Sequence, residues 1–190
     1  MVIAPTTNAD TLRADSARVR ARMLAAARAR MSAGDLELPM NAIAKAAGVG
    51  VGTVYRHFPS RQTLLESLAA QSLESLVREA GTAAASQDVA AGLAGLLRAA
   101  LQCQLTDPAL AEVLAAPDPA CLETMDLIRE LGRATGRLLD KARAGGVIRD
   151  DVTADDIRRL MCGVQRAVRL GSGDDADRYL EILLRGLRPE

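Results

Sequence analysis

From Val19 to Leu187 apolar residues return every three or four positions, in segments punctuated by glycine and proline. That is the period of helices buried along one side, not of strands. A first helix is expected from Asp15, a good N-cap, to about Ser32, with Val19, Met23, Ala26, Ala27 and Met31 on one stripe and Gly34 ending it. A second covers Met40 to Ala47, with Pro39 near its first turn, where a missing N–H costs little. A third covers Val51 to His57 and is stopped by Phe58-Pro59-Ser60. Ser60 can cap a fourth from Arg61 to about Ala80, with Leu64, Leu65, Leu68, Leu73, Leu76 and Val77 on its stripe and Gly81 breaking it. Five more are expected near 88–105, 108–115, 119–144, 153–170 and 174–187, divided by Pro108, Pro117, Pro119, Gly145-Gly146 and Gly171-Ser172-Gly173. Thr153 with Asp156 has the spacing of a capping box.

Composition agrees. Aromatic residues make up 2% of the chain and tryptophan is absent, so the core must be Leu, Ala, Val, Ile and Met, and Ala and Leu favour helix. The expected fold class is all-α with about nine helices. Formal net charge is zero, yet residues 1–61 carry nine Lys and Arg against four Asp and Glu, leaving 15 against 20 for the remainder. A basic first third on an acidic body suggests one module that faces a polyanion. Cys103, Cys121 and Cys162 form no CxxC or Cys/His pattern and fit a reducing compartment. No run of about 18 apolar residues suggests a membrane span, and the polar opening does not read as a signal peptide, so a cytoplasmic location is expected.

The densest chemical information lies in Ile43-Ala-Lys-Ala-Ala-Gly48-Val-Gly-Val-Gly-Thr53-Val-Tyr-Arg-His-Phe58. Ala44, Ala46 and Ala47 permit close helix approach, and Gly48 supplies the left-handed backbone of a sharp turn. Val49, Val54 and Phe58 are apolar pegs. Two short helices joined this way form a helix-turn-helix, whose second helix enters the DNA major groove. From about Met23 to Leu68 the chain resembles the TetR family of transcriptional regulators. The stretch Gly146 to Ile157 also resembles the family's link before its penultimate helix.

Pro5 and the Thr-Thr-Asn run read as a disordered arm, bounded at 1–14, and the resemblance implies a three-helix DNA-binding domain over 15–60 and a larger effector-binding and dimerisation domain over 61–190. It implies that Thr53, Tyr55, Arg56 and His57 on the third helix meet DNA, with Arg61 on the phosphate backbone. Asn41, Arg18 and Arg20 are further candidates. Thr53 can touch a thymine methyl or a phosphate, and Arg56 can take guanine or phosphate. Gly50 stands where the family usually has Ser or Thr, a weaker cap. Val51 often gives way to a basic residue there, so its presence removes one potential phosphate contact, about 0.9 of the salt slope. Met31 stands where the family has Phe.

For the C-terminal helices the resemblance implies a homodimer through a four-helix bundle. Leu160, Val164 and Val168, with Leu180, Leu183, Leu184 and Leu187, are the expected interface, and a near-palindromic operator follows from the two-fold axis. The middle helices should enclose a small-molecule pocket, for which Leu97, Leu101, Leu105, Leu122, Met125 and Arg129 are candidates, with Arg98, Gln102 and Gln104 as further polar anchors. An apolar or weakly anionic effector is expected, since aromatic walls for flat cations are lacking. The mechanism implied is allosteric release from DNA, with the fourth helix as the lever and repression as the family default.

No catalytic, cofactor or metal site is expected. The only histidine sits beside Phe58, away from every cysteine in sequence, and GVGVGT lacks the Gly-Lys-Ser/Thr ending of a phosphate loop. Two alternatives keep the helical architecture: a regulator switched by thiol oxidation, and a ligand-binding protein with an impaired reading head.

Overall fold

A computed structural model describes residues 8–171 and 175–189. Among them are nine α-helices and no strand: α1 Asn8–Ser32, α2 Met40–Ala47, α3 Val51–His57, α4 Arg61–Ala85, α5 Val89–Thr106, α6 Pro108–Ala115, α7 Leu122–Ala144, α8 Ala154–Leu170 and α9 Ala176–Gly186. The chain divides into two compact units between Leu68 and Ala69.

The first unit holds α1, α2, α3 and the opening two turns of α4. Its buried residues are those of the expected stripes: Met23, Ala27 and Met31 on α1, Ile43, Ala44 and Ala47 on α2, Val54 on α3, Phe58, and Leu64, Leu65 and Leu68 on α4. Burial of these α4 leucines moves the boundary eight residues beyond the 60/61 division read from sequence. The arm expected over 1–14 is also revised. Residues 1–7 lie outside the described residues, but 8–14 are already helical. After Pro5 neither proline nor glycine interrupts the chain before Gly34, Ala9, Leu12, Arg13 and Ala14 favour helix, and Asp15 pairs with Arg18 at 2.8 Å across one turn. Side chains from Thr11 to Arg18 are all exposed, so local propensity, not packing, forms this end.

Order between α1 and α2 comes from Asp35. Arg30 donates to its carboxylate through Nε at 2.8 Å and through a terminal nitrogen, and Leu38 donates its N–H at 3.3 Å. Leu38 sits at φ 49°, a strained value for a branched side chain, and is almost fully buried.

In the second unit α5 is the hub, packed against α6, α7, α8 and α9. It is long and apolar enough to cross a membrane by length and composition alone. Its Leu93, Leu96, Leu97 and Leu101 are nevertheless buried against protein. Aspartates cap the hub and its neighbour: Asp88 accepts from Ala91 N–H, and Asp107 from Ala109 and Leu110. Thr153 and Asp156 form the complete capping box of α8. α4 runs through Gly81 to Ala85, further than the glycine suggested. Burial of Ala80, Ala83 and Ala84 outweighs the roughly 1 kcal/mol that a helical glycine costs.

Candidate nucleic-acid interface and ligand cavity

The turn between α2 and α3 is built on Gly48 at φ 65°, ψ 42°. Val49 N–H then reaches back to the Ala44 carbonyl at 3.0 Å, closing a Schellman-type end. Space around Gly48 is open, so backbone conformation alone requires glycine there. α3 starts at Gly50 without any side-chain cap, as its sequence implied. Val54 and Phe58 turn fully inward, which leaves Val51, Gly52, Tyr55 and Arg56 on the outer side, with Thr53 and His57 half-buried at its flanks. The half-buried His57 ring is tilted against Phe58 at a centroid distance of 6.3 Å.

Cations of this unit fall into two groups. Arg18 is paired with Asp15 and Arg30 with Asp35. Arg20 donates to Ser67 Oγ at 2.9 Å while lying 5.1 Å from the Phe58 ring centroid, so it braces the third helix from behind. Arg61, read as a phosphate contact, donates to the carbonyls of Glu37 at 3.1 Å and Leu36 at 2.5 Å. Its guanidinium meets carbonyls of the α1–α2 link that no helix satisfies. Asn41 is exposed, with its Oδ1 accepting from Ala42 N–H at the open start of α2. Arg56, by contrast, has neither hydrogen bond nor ion pair among the described residues. Tyr55 and Arg56 therefore present a phenol and an unneutralised guanidinium side by side on one exposed turn.

The second unit contains a cavity of about 590 Å³, partly open to solvent, between α4, α5, α6, α7 and α8. Leu97 and Arg129 line it, together with Gln104. Four other expected lining residues do not. Leu101 turns fully into the packed core, Leu122 is exposed at the first turn of α7, and Leu105 and Met125 lie half-buried elsewhere. Helical period gives which side is apolar but not which part of that side faces a gap. Ile157 and Met161 on α8 also line it, although neither was among the expected lining residues. Arg98 faces outward, 3.7 Å from Asp177, and Gln102 is exposed.

The stripes of α8 and α9 wrap further round than one contact needs. Val168, Leu180 and Leu187 are buried within the chain, so they cannot give area to a partner, and that part of the expected interface is corrected. Leu160 remains 43% exposed, and Val164, Leu183 and Leu184 are half-buried. Ile182 and Leu170, overlooked in the sequence, are more exposed still, at 57% and 75%. Ile182 is three residues from Tyr179 and four from Gly186, a spacing that marks a second face of α9.

Burial pushes the thiols of Cys103 and Cys162 up, away from the reactive thiolate. Glu79 and Asp107 add to the effect at Cys103, while Arg158 opposes it at Cys162. Among the described residues no group of His, Cys, Asp and Glu could hold a metal ion.

Comparison with known proteins gives two family matches. Residues 23–68 match the family of bacterial regulatory proteins of the tetR type, and residues 90–189 match the C-terminal domain of SbtR-like transcriptional regulators. No curated protein sequence matches the chain. Among solved structures, it is similar to a TetR transcriptional regulator from Streptomyces coelicolor, with 29% identity, 90% of this chain and 98% of the other covered, and a TM-score of 0.53. A TetR regulatory protein from Mycobacterium vanbaalenii is 31% identical over 94% of this chain and 99% of its own, with a TM-score of 0.49. RolR, solved with the ligand resorcinol, is 22% identical over 93% of this chain and 90% of its own, with a TM-score of 0.62.

Proposed function

Because the chain belongs to the TetR family of bacterial regulatory proteins, we propose that it is a homodimeric, sequence-specific DNA-binding regulator whose operator affinity falls when a small molecule occupies the cavity. The observation that carries this reading is the outer face of α3. Tyr55 and an unpaired Arg56 project from a helix anchored behind by Val54 and Phe58. A cation held on a rigid element, with no acid to neutralise it, suits a phosphate or a guanine edge.

In this reading Arg56 and Tyr55 make the principal contacts, with Thr53 and His57 flanking them and Asn41 reaching the backbone from α2. Arg61 and Arg20 act as positioning residues that hold the module together. Leu160, Val164, Ile182 and Leu183 form the dimer contact, setting two α3 helices against half-sites about one DNA turn apart. A ligand that favours a conformation with the wrong α3 spacing weakens binding by a coupling of about 1–3 kcal/mol, roughly 5- to 150-fold. Repression is the family's default sign and is adopted here.

The test is binding of the purified protein to DNA fragments flanking its own gene, at two salt concentrations, with Arg56→Ala in parallel. A protected near-palindrome that the variant loses supports the reading. Weak binding, blind to sequence and abolished by salt for both proteins, would count against it.

A further inference from the structure

The buried part of the cavity wall is mostly aliphatic. The chain has only three aromatic residues, Tyr55, Phe58 and Tyr179, and none of them lines it. Two polar side chains interrupt this wall at buried positions: Gln104 on α5, 2% exposed, and Thr135 on α7, 7% exposed.

Both are short of hydrogen-bond partners. Gln104 donates through Nε2 to the Ala100 carbonyl at a long 3.3 Å, and its buried Oε1 has no partner among the described residues. Exchanging the oxygen and nitrogen would set two acceptors against each other at Ala100, so the acceptor is the orphan. Thr135 makes no hydrogen bond among the described residues. The contrast lies within the same chain: Thr82 and Thr106, also helical, donate back to the carbonyls of Arg78 and Gln102. A buried acceptor left unpaired is unfavourable, and native cores avoid it unless something meets it.

Charge is arranged differently. Arg129, Arg133 and Asp155 line the cavity at exposed positions and Arg158 at a half-buried one, whereas its fully buried polar groups, Gln104 and Thr135, are neutral. Arg158, the half-buried cation of the wall, is already paired with Asp155 at 2.8 Å and donates to the Leu114 carbonyl at 3.0 Å, so a carboxylate among Leu97, Leu114, Ile157 and Met161 would be desolvated with no unpaired cation to meet it. A hydroxyl there would donate to Gln104 Oε1 and accept from the Thr135 hydroxyl. Because Oε1 is itself covered, the amide must turn about its last side-chain bond, giving up only the 3.3 Å bond to Ala100.

We infer that the cavity takes a molecule with an apolar body and a neutral hydroxyl group, recognised by Gln104 and Thr135. This rests on reading the second unit as a ligand-binding domain, and it replaces the expectation of a weakly anionic effector. Hydroxyl recognition of this kind discriminates strongly against an analogue that lacks the donor, because the protein's own polar groups are then left unpaired.

The binding test uses the intact protein without DNA, and DNA affinity is measured separately with and without 1-octanol. Affinities for 1-octanol, its methyl ether and octanoate are compared by calorimetry and by thermal shift. The alcohol is expected to bind at least five- to tenfold more tightly than the ether, and octanoate more weakly than the alcohol. Gln104→Met and Thr135→Val keep side-chain shape while removing the polar atoms, so both variants are expected to fold with unchanged or raised Tm. In each the preference for alcohol over ether should shrink to within about twofold. Equal binding of alcohol and ether by the unaltered protein, octanoate as the preferred probe, or no binding of any probe would overturn the inference. Alcohol preference without any change in DNA affinity would uphold this site chemistry and remove the regulatory role proposed for it.

Discussion

Ile182→Ala separates the two faces of α9. Burying a whole isoleucine side chain contributes about 1.5–3 kcal/mol. Ile182 is 57% exposed in the single chain, so roughly 0.9–1.7 kcal/mol of that remains for a partner to supply. A two-fold interface counts each substitution twice, giving about 2–3.5 kcal/mol per dimer, or roughly a 20- to 300-fold weaker dimer. Alanine keeps Cβ, so the lower half of that range is the expectation. Leu180, two residues away and 1% exposed, is the control. Leu180→Ala should lower the stability of the subunit by about 2–5 kcal/mol, the usual range for a buried leucine. Sedimentation of labelled protein across a dilution series gives the dimer constant, and urea unfolding gives the stability. The reasoning is refuted if Ile182→Ala dimerises as tightly as the unaltered protein while retaining its helical signal, or if the unaltered protein is a monomer throughout.

Other outcomes follow from single groups. Gly48→Ala and Gly52→Ala both enter open space, but only Gly48 has a positive φ. Thermal unfolding should show the first destabilised by about 1 kcal/mol and the second, inside α3, stabilised by about 0.5–1 kcal/mol. Arg56→Ala should flatten the dependence of DNA affinity on salt by about 0.9 if the side chain meets phosphate, or relax one base position if it meets a base edge. Thr153→Ala removes the α8 capping box and should cost about 0.5–2 kcal/mol in urea unfolding. Asp35 has its pKa lowered, chiefly by the hydrogen bond from Arg30. Its bond therefore stabilises the fold above the ordinary carboxylate pKa and loses that effect as pH falls through the lowered value. Unfolding curves of Asp35→Asn should lie below those of the unaltered protein at neutral pH and converge with them under acid.

Helices and their order were legible because each has one strong apolar stripe and an unambiguous stop, as at Gly34, Gly48 and Pro59. Period alone misplaced two ends. Nothing in the run after Asn8 opposes helix, so α1 begins before its best capping residue. At Gly81, three buried alanines carry α4 past a residue that would end an exposed helix. The outward set on α3 was legible because Val54 and Phe58 fix which side faces in. The partners of Arg61 were not, since they are carbonyls of Leu36 and Glu37, more than twenty residues away in sequence. Cavity residues were the least legible: Leu97 and Leu101 are one turn apart on the same stripe, yet only Leu97 lines the gap. Which leucines of α8 and α9 remain free for a partner likewise depends on how α5 fills the space between them.

The central claim is that α3 of a dimer reads DNA sequence, and selection from a random-sequence duplex library tests it most directly. The purified protein and Arg56→Ala would be carried through identical rounds at physiological salt. The account predicts enrichment of a near-palindrome with half-site centres about one helical turn apart, or slightly more, and loss or degeneracy of that pattern with the variant. Enrichment of no sequence, or of the same sequence by both proteins, would contradict it.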